Sequence, residues 1–176
     1  MRIEKLIKLK IREIPDWPKK GVNFKDITPL LQDKNTFRKI IDLFAAPYLG
    51  KKVDKIVGID ARGFILAAAL AYKLKTGLAI VRKKGKLPAK TVSKTYTLEY
   101  ASNTLEMHKD AISPGEKILL VDDVLATGGT MKATINLVKK LKGKIAGVDF
   151  LIELPYLKGR EKLKNYKIRS LVKYEK

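Results

Sequence analysis

Ile118-Leu119-Leu120-Val121-Asp122-Asp123-Val124-Leu125-Ala126-Thr127-Gly128-Gly129-Thr130 is the stretch that decides the fold of this 176-residue chain. Its first four residues are apolar and read as a buried strand in a parallel sheet. Asp122 and Asp123 stand where that strand is expected to end, and a turn of small residues follows. Thr130 then opens a helix with Ile135, Val138 and Leu141 at helical spacing. Ligands of α/β sheets bind at the carboxyl ends of strands, so chemistry belongs at this turn. Backbone amides of Ala126, Thr127, Gly128, Gly129 and Thr130 can converge on an anion there, because glycine lets the chain approach it closely. The positive end of the following helix faces the same spot. The turn predicts a phosphate site.

The two acids narrow the choice of phosphate. Carboxylates beside an anion repel it unless they face a cation or neutral donors, and vicinal sugar hydroxyls are such donors. The expected guest is a ribose 5-phosphate, with its phosphate on the turn and its hydroxyls on Asp122 and Asp123. A lone Asp-Asp pair would more simply cap the next helix, but the thirteen-residue string is far more specific than the pair. A P-loop is excluded, since no Gly-Lys-Ser/Thr follows the glycines.

The length suits one domain over 1–176, within the ~100–200 residues a single domain holds. No window approaches the ~18 uninterrupted apolar residues of a membrane span; the densest, Phe64 to Leu74, reads as a buried helix. The N-terminal MRIEKLIKLKIREI alternates charged and apolar residues and lacks a signal-peptide core. Cysteine is absent, which excludes disulfides, thiolate catalysis and zinc-thiolate sites and suggests a cytoplasmic protein. A formal charge of +20 invites a nucleic-acid reading. The lysines are nevertheless scattered, at 5, 8, 10, 19, 20, 51, 52, 73, 75, 139, 140, 142 and 144, with no dense arm or aromatic-interleaved stripe. They read as solvated faces whose field steers polyanionic substrates, and no specific nucleic-acid or membrane partner is expected.

Along the chain, a helix is expected over Met1 to Lys10, then an irregular segment punctuated by Pro15, Pro18, Gly21 and Pro29. A second helix spans about Thr36 to Leu49. Lys55 to Ile59 reads as a strand, Asp60 to Gly63 as a turn, Phe64 to Lys75 as a helix and Leu78 to Val81 as a strand. Lys83 to Lys94 reads as a long basic loop, followed by a hairpin of Tyr96–Tyr100 and Thr104–His108 around Ala101-Ser102-Asn103. The sheet resumes at Ile118 and at Gly147 to Leu154, before a short Lys/Arg-rich ending. Strands alternating with helices imply an α/β fold with a right-handed, mostly parallel central sheet flanked by helices.

The Asp-Asp string resembles the 5-phosphoribosyl 1-diphosphate (PRPP) signature of type I phosphoribosyltransferases. Six further segments are similar to the adenine phosphoribosyltransferases of that family. They are IREIPDWPKKGVNFKDITPLL (11–31), GIDARGF (58–64), VRKKGKLP (81–88), YTLEY (96–100), LEMHKDAISPG (105–115) and GREKL (159–163). The resemblance implies transfer of ribose 5-phosphate from PRPP to adenine, giving AMP and diphosphate, with Mg²⁺ carried on PRPP rather than by protein ligands. It also implies a homodimer, a small N-terminal hood over 1–34 and a flexible lid loop over 83–104.

Residue roles follow from the same resemblance. Asp60, Ala61 and Arg62 form the diphosphate loop, with a non-proline cis peptide at Asp60–Ala61. Arg82, Lys83 and Lys86 add cations for the diphosphate, Arg82 acting across a dimer interface. Glu99 is the proposed acid/base managing a purine proton near N7, and Tyr100 closes over the diphosphate. Phe24 stacks on adenine with Val124 and Leu125 below, while backbone around Asn23 and Lys25 reads the purine edge. His108, the only histidine, receives no role. The rival readings are a same-fold hypoxanthine or guanine enzyme and a PRPP-sensing nucleic-acid regulator. Glu99, the lid and the hood argue against the regulator.

Overall fold

The strand beginning near Ile118 lies at the centre of the parallel part of a seven-stranded sheet in the computed structural model of the chain, which describes residues 3–98 and 101–175. Its neighbours are β3 (Lys55–Ile59) and β8 (Lys144–Glu153), both parallel to β7 (Lys117–Leu125). Outside them run β4 (Gly77–Lys83) beside β3 and β9 (Ile168–Lys173) beside β8, again parallel. A hairpin of β5 (Thr91–Leu98) and β6 (Ala101–His108) completes the sheet antiparallel to β4, in the order β5-β6-β4-β3-β7-β8-β9. The expected mostly parallel α/β fold is the one that forms.

Each face of the sheet carries its own core, as a sheet buried on both faces requires. On one face α1 (Ile3–Leu9), α3 (Lys34–Ala45) and α4 (Arg62–Leu74) bury Ile7, Ile40, Phe44, Leu66 and Leu70 against Leu119 and Val121. On the other, α5 (Gly129–Lys140) and the hairpin bury Ile135, Leu137, Val138, Val92 and Met107 against Ile118, Leu120 and Phe150. Asp33 caps α3 by accepting the Thr36 N–H at 2.8 Å, and that bond with the nearby Lys10 holds its carboxyl down at about 2.

Several boundaries differ from the sequence reading, each for a physical reason. The irregular N-terminal segment contains a small ribbon, β1 (Arg12–Ile14) antiparallel to β2 (Phe24–Asp26), and a short α2 (Thr28–Gln32). The second helix ends at Ala45, and Pro47 continues it only as a single 3₁₀ turn over Ala46–Tyr48. The expected basic loop is shorter, because Thr91 already begins β5, whose Val92 is buried opposite Met107. That register pairs Leu98 with Ala101, so Ala101-Ser102-Asn103 lies in a strand rather than at the hairpin's tip. The segment 83–104 is therefore mostly hairpin. β7 does not stop before the acids but runs through them, paired to Phe150, Ile152 and Glu153 of β8. The Lys/Arg-rich ending hides β9, whose inward Arg169 is satisfied by Asp149 and by the carbonyls of Leu43 and Phe44.

Candidate active site

Asp122 and Asp123 occupy the point where β7 changes the facing of its side chains. Leu119 and Val121 pack in the α3/α4 core and Ile118 and Leu120 in the α5 core, but beyond the acids Val124 joins the first and Leu125 the second. Strict alternation would do the reverse, so the switch falls between Val121 and Val124. It brings both carboxyl groups beside the first turn of α4. Asp122 Oδ1 accepts the Asp123 N–H at 2.9 Å and lies where any side chain at Gly63 would project, 2.6 Å from its Cβ position. Asp123 Oδ2 sits 2.6 Å from Arg62 Nε. The contact balances charge without the direction of a hydrogen bond, and this buried oxygen has no hydrogen-bond partner among the described residues. Burial, then the neighbouring Asp123 charge, pushes Asp122 well above the ordinary aspartate range. Burial also raises Asp123, against the pull of Arg62. An acid pair so placed is short of hydrogen-bond donors, which sugar hydroxyls supply.

The turn after β7 forms the cradle its composition implied. Gly128 takes a positive φ of 76° and caps α5, whose first N–H groups have no partner within the helix. A pocket of about 70 Å³ opens there, bounded by Ala126, Thr127, Gly128, Gly129 and Thr130 with Asp122 behind. The turn is held from below by Gly159 of the GREKL segment: a Cβ on Gly159 would stand 2.1 Å from Ala126 O and 2.9 Å from Gly128 N. Arg160 fixes that segment by donating to both oxygens of the buried Glu153, at 2.8 and 2.6 Å. From above, the Tyr96 hydroxyl meets Thr130 Oγ1 at 3.0 Å.

A second strand end supplies the cationic side. The Asp60–Ala61 peptide between β3 and α4 is cis, as the resemblance implied. Arg82 Nε donates to Asp60 Oδ2 at 3.0 Å and its Nη1 to Lys86 O at 3.1 Å, joining the end of β4 to the turn after β3. Lys83 and Lys86 are exposed. The buried Glu106 orders their turn by accepting the Gly85 N–H at 3.0 Å. Glu106 went unrecognised in the sequence because an acid in an alternating strand reads as solvent-facing.

The hood and the sheet enclose a pocket of about 350 Å³, lined by Asn23, Phe24, Lys25, Arg62, Val124 and Ala126. Asn23 Nδ2 and the buried Lys25 Nζ both donate to Glu13 Oε2, at 2.7 and 2.5 Å, which turns these side chains toward β1. The unpaired edge of β2 is left to offer backbone groups, and Lys25 O already accepts Arg62 Nη1 at 3.3 Å. The Arg62 guanidinium lies 4.7 Å over the Phe24 ring, and Trp17 meets that ring edge-on at 4.4 Å. Leu125 does not line this pocket; it is buried in the α5 core. Leu154, Tyr156 and Leu157 form a wall that the sequence reading missed. Their only signal was a run of apolar residues just before GREKL. Glu99 and Tyr100 lie outside the described residues.

Residues 26–173 match the family described as phosphoribosyl transferase domain. The chain is 56% identical over 168 residues to the adenine phosphoribosyltransferase of Trichlorobacter lovleyi, covering 96% of this chain and 98% of that one. It is 57% identical over 164 residues to the enzyme of the same name from Geobacter metallireducens, covering 93% and 96%. Among solved structures it superposes on the adenine phosphoribosyltransferase of Thermoanaerobacter pseudethanolicus with a TM-score of 0.94, at 50% identity and 97% and 99% coverage. The Saccharomyces cerevisiae adenine phosphoribosyltransferase, complexed with an imino-altritol bisphosphate and adenine, gives 0.91 at 37% identity and 96% and 98% coverage.

Proposed function

The chain belongs to the phosphoribosyl transferase family, among its adenine phosphoribosyltransferases, and we propose how its residues divide the work of making AMP and diphosphate from adenine and PRPP in purine salvage. The observation that carries the assignment of roles is the Asp122–Asp123 pair, Asp122 half-buried and Asp123 buried with an unbonded carboxylate oxygen, set directly before an amide-lined turn. The turn takes the 5′-phosphate and the acids take the ribose hydroxyls.

Arg62 links the subsites. It covers the Phe24 face and Asp123 in the free chain, and it turns to the diphosphate when adenine takes the ring and the ribose takes the acid. Arg82, Lys83, Lys86 and the Asp60–Ala61 amides share the diphosphate charge as the C1–oxygen bond breaks and the C1–N9 bond forms. Adenine lies between Phe24 and Val124, its edge read by backbone of β2. An acceptor meets the exocyclic amine and a donor meets N1; hypoxanthine presents the reverse pattern and leaves buried groups unpaired. Glu99 manages the purine proton near N7 and Tyr100 closes over the diphosphate, carried by the β5–β6 hairpin as a lid that excludes water.

The unbonded buried oxygen of Asp123 at this edge would suit a hard, oxygen-seeking cation, and Mg²⁺ carried on PRPP would supply charge neutralisation to the diphosphate. The reading includes a cytoplasmic setting and a homodimer. Ile65 and Tyr72 of α4 and Leu78 of β4 are exposed apolar residues on adjoining elements, open to a second copy. No described helix is long and apolar enough to cross a membrane.

Steady-state assays with PRPP and adenine, hypoxanthine or guanine test the reading. Adenine should be preferred by at least about 10³-fold in kcat/KM. Comparable efficiency with hypoxanthine would refute the base assignment while leaving the phosphoribosyl transfer intact.

A further inference from the structure

The charge of +20 is not used up by the reaction, and lysines far apart in sequence meet at one place. A cleft of about 480 Å³ lies at the amino ends of the parallel strands, the sheet edge opposite the acid pair. Lys51, Lys52, Lys117, Lys144, Lys167 and Arg169 line it. Lys117 and Lys144 open β7 and β8, Lys167 precedes β9, and Lys51 and Lys52 precede β3. Four separate segments thus deliver cations to one cleft.

The cleft's acidic complement is already committed. Its one lining carboxylate, Asp149, is fully buried. It accepts Arg169 Nη2 at 2.5 Å and the Tyr48 hydroxyl at 3.1 Å. Arg169 also donates to the carbonyls of Leu43 and Phe44 at 2.8 Å, so its fork is spent inside the fold. On the same edge, Asp54 pairs with Lys52 at 3.7 Å and Glu116 with Lys55 at 3.0 Å. Lys51, Lys117, Lys144 and Lys167 make no ion pair among the described residues. Lys167 acts on the Asp149 carboxyl through space, yet the cations of this edge still outnumber its acids, and their potential is one that a multivalent anion relieves.

The cleft also has apolar wall residues, Pro47, Val53, Ile145 and Ala146. The volume falls within the roughly 300–1,000 Å³ of small-molecule sites. Apolar wall residues together with four ammonium groups that make no ion pair among the described residues match a molecule with a flat ring at one end and several phosphate charges at the other. We propose that this cleft binds a nucleoside di- or triphosphate, its phosphates on Lys51, Lys117, Lys144 and Lys167 and its base against the apolar wall. A nucleic-acid strand fits less well, because stacking platforms are lacking: the one lining aromatic, Tyr48, has its hydroxyl tied to Asp149.

Calorimetric titration of the full chain with ATP, in saturating AMP so that the catalytic pole is filled, tests this. The wild type should bind one further ATP per chain. Lys144→Glu/Lys167→Glu, both exposed positions, should weaken that binding by about tenfold or more, while turnover of adenine and PRPP stays within about twofold. Inorganic tripolyphosphate should bind the wild type more weakly than ATP. ATP binding that AMP abolishes, or that the charge reversal leaves unchanged, would overturn the site. Tripolyphosphate binding as tightly as ATP would overturn the nucleotide assignment, as would a single-stranded RNA that outcompetes ATP and loses binding in the variant.

Discussion

The two ends of the same parallel strands are built in different ways. At the carboxyl ends, the 126–130 turn is held by Gly159 and Tyr96, and the buried Asp123 keeps one carboxylate oxygen without a hydrogen-bond partner among the described residues. At the amino ends, flexible lysine side chains stand around a cleft whose only acid is already satisfied. The first arrangement is preorganised and its cost is held in the fold, as misplaced charge and crowded backbone. The second stores little structure and depends on long-range charge, which salt screens. Catalysis of group transfer needs the first kind, since the reacting atoms must be held to well under an ångström.

The sharpest way to break the comparison is at the carboxyl pole. Glu99→Gln should lower kcat by ~10²–10⁴ with PRPP affinity nearly unchanged, because a carboxylate that moves the purine proton matters only in the chemical step. Turnover within a few-fold of wild type would remove the acid/base role from Glu99. Asp122→Asn/Asp123→Asn should weaken PRPP binding by about 10²-fold or more, each lost charged hydrogen bond mattering by ~1.5–3 kcal/mol. Calorimetry showing unchanged affinity would remove the ribose assignment. Gly159→Ala pushes a methyl group into Ala126 O and Gly128 N, backbone atoms that can yield only by moving the turn. A loss of up to about 10²-fold in kcat/KM for PRPP is expected, with the hood pocket still able to bind adenine.

A smaller effect separates function from stability at the same acids. The folded chain raises the Asp122 carboxyl, by burial first and the Asp123 charge second, so the fold holds this proton more tightly than the unfolded chain does. The stability linked to it is present at low pH and is lost as pH rises through the raised value. Asp122→Asn should therefore melt higher than wild type at neutral pH without ligand, by about 2–4 °C. The gap should close as the pH falls to where Asp122 is itself protonated. An equal or lower Tm at neutral pH would show that the acid is not a strained group. At the other pole, Lys51→Ala should leave adenine turnover within about twofold, the smallest effect of the set, since an exposed lysine there fixes no backbone.

Much of the site was legible because its signals are local. The thirteen residues from Ile118 carry apolar run, acids, small turn and helix start in one string, and the structure places them as strand, cradle and helix. Arg62 and Asp60 were readable for the same reason, as a turn between a strand and a helix. Leu154, Tyr156 and Leu157 were not, because a pocket wall made from a distant segment has no periodicity of its own. Glu106 and Arg169 were hidden because charge reads as exposure, while here each meets a partner that only folding supplies.

By itself the sequence determined the fold class and the family, and it set the acid pair and the glycine turn side by side, since each rests on neighbours along the chain. The tertiary structure decided that β7 runs through the acids and turns them both toward α4, because pairing with β8 outweighs the local preference to end the strand. It decided that Asn23 and Lys25 point to Glu13, which leaves the outer edge of β2 without a strand partner beside the pocket lined by Phe24 and Val124. It also gathered scattered lysines into one cleft. Charge along a chain is additive, but its local density depends on which loops a sheet brings to the same edge.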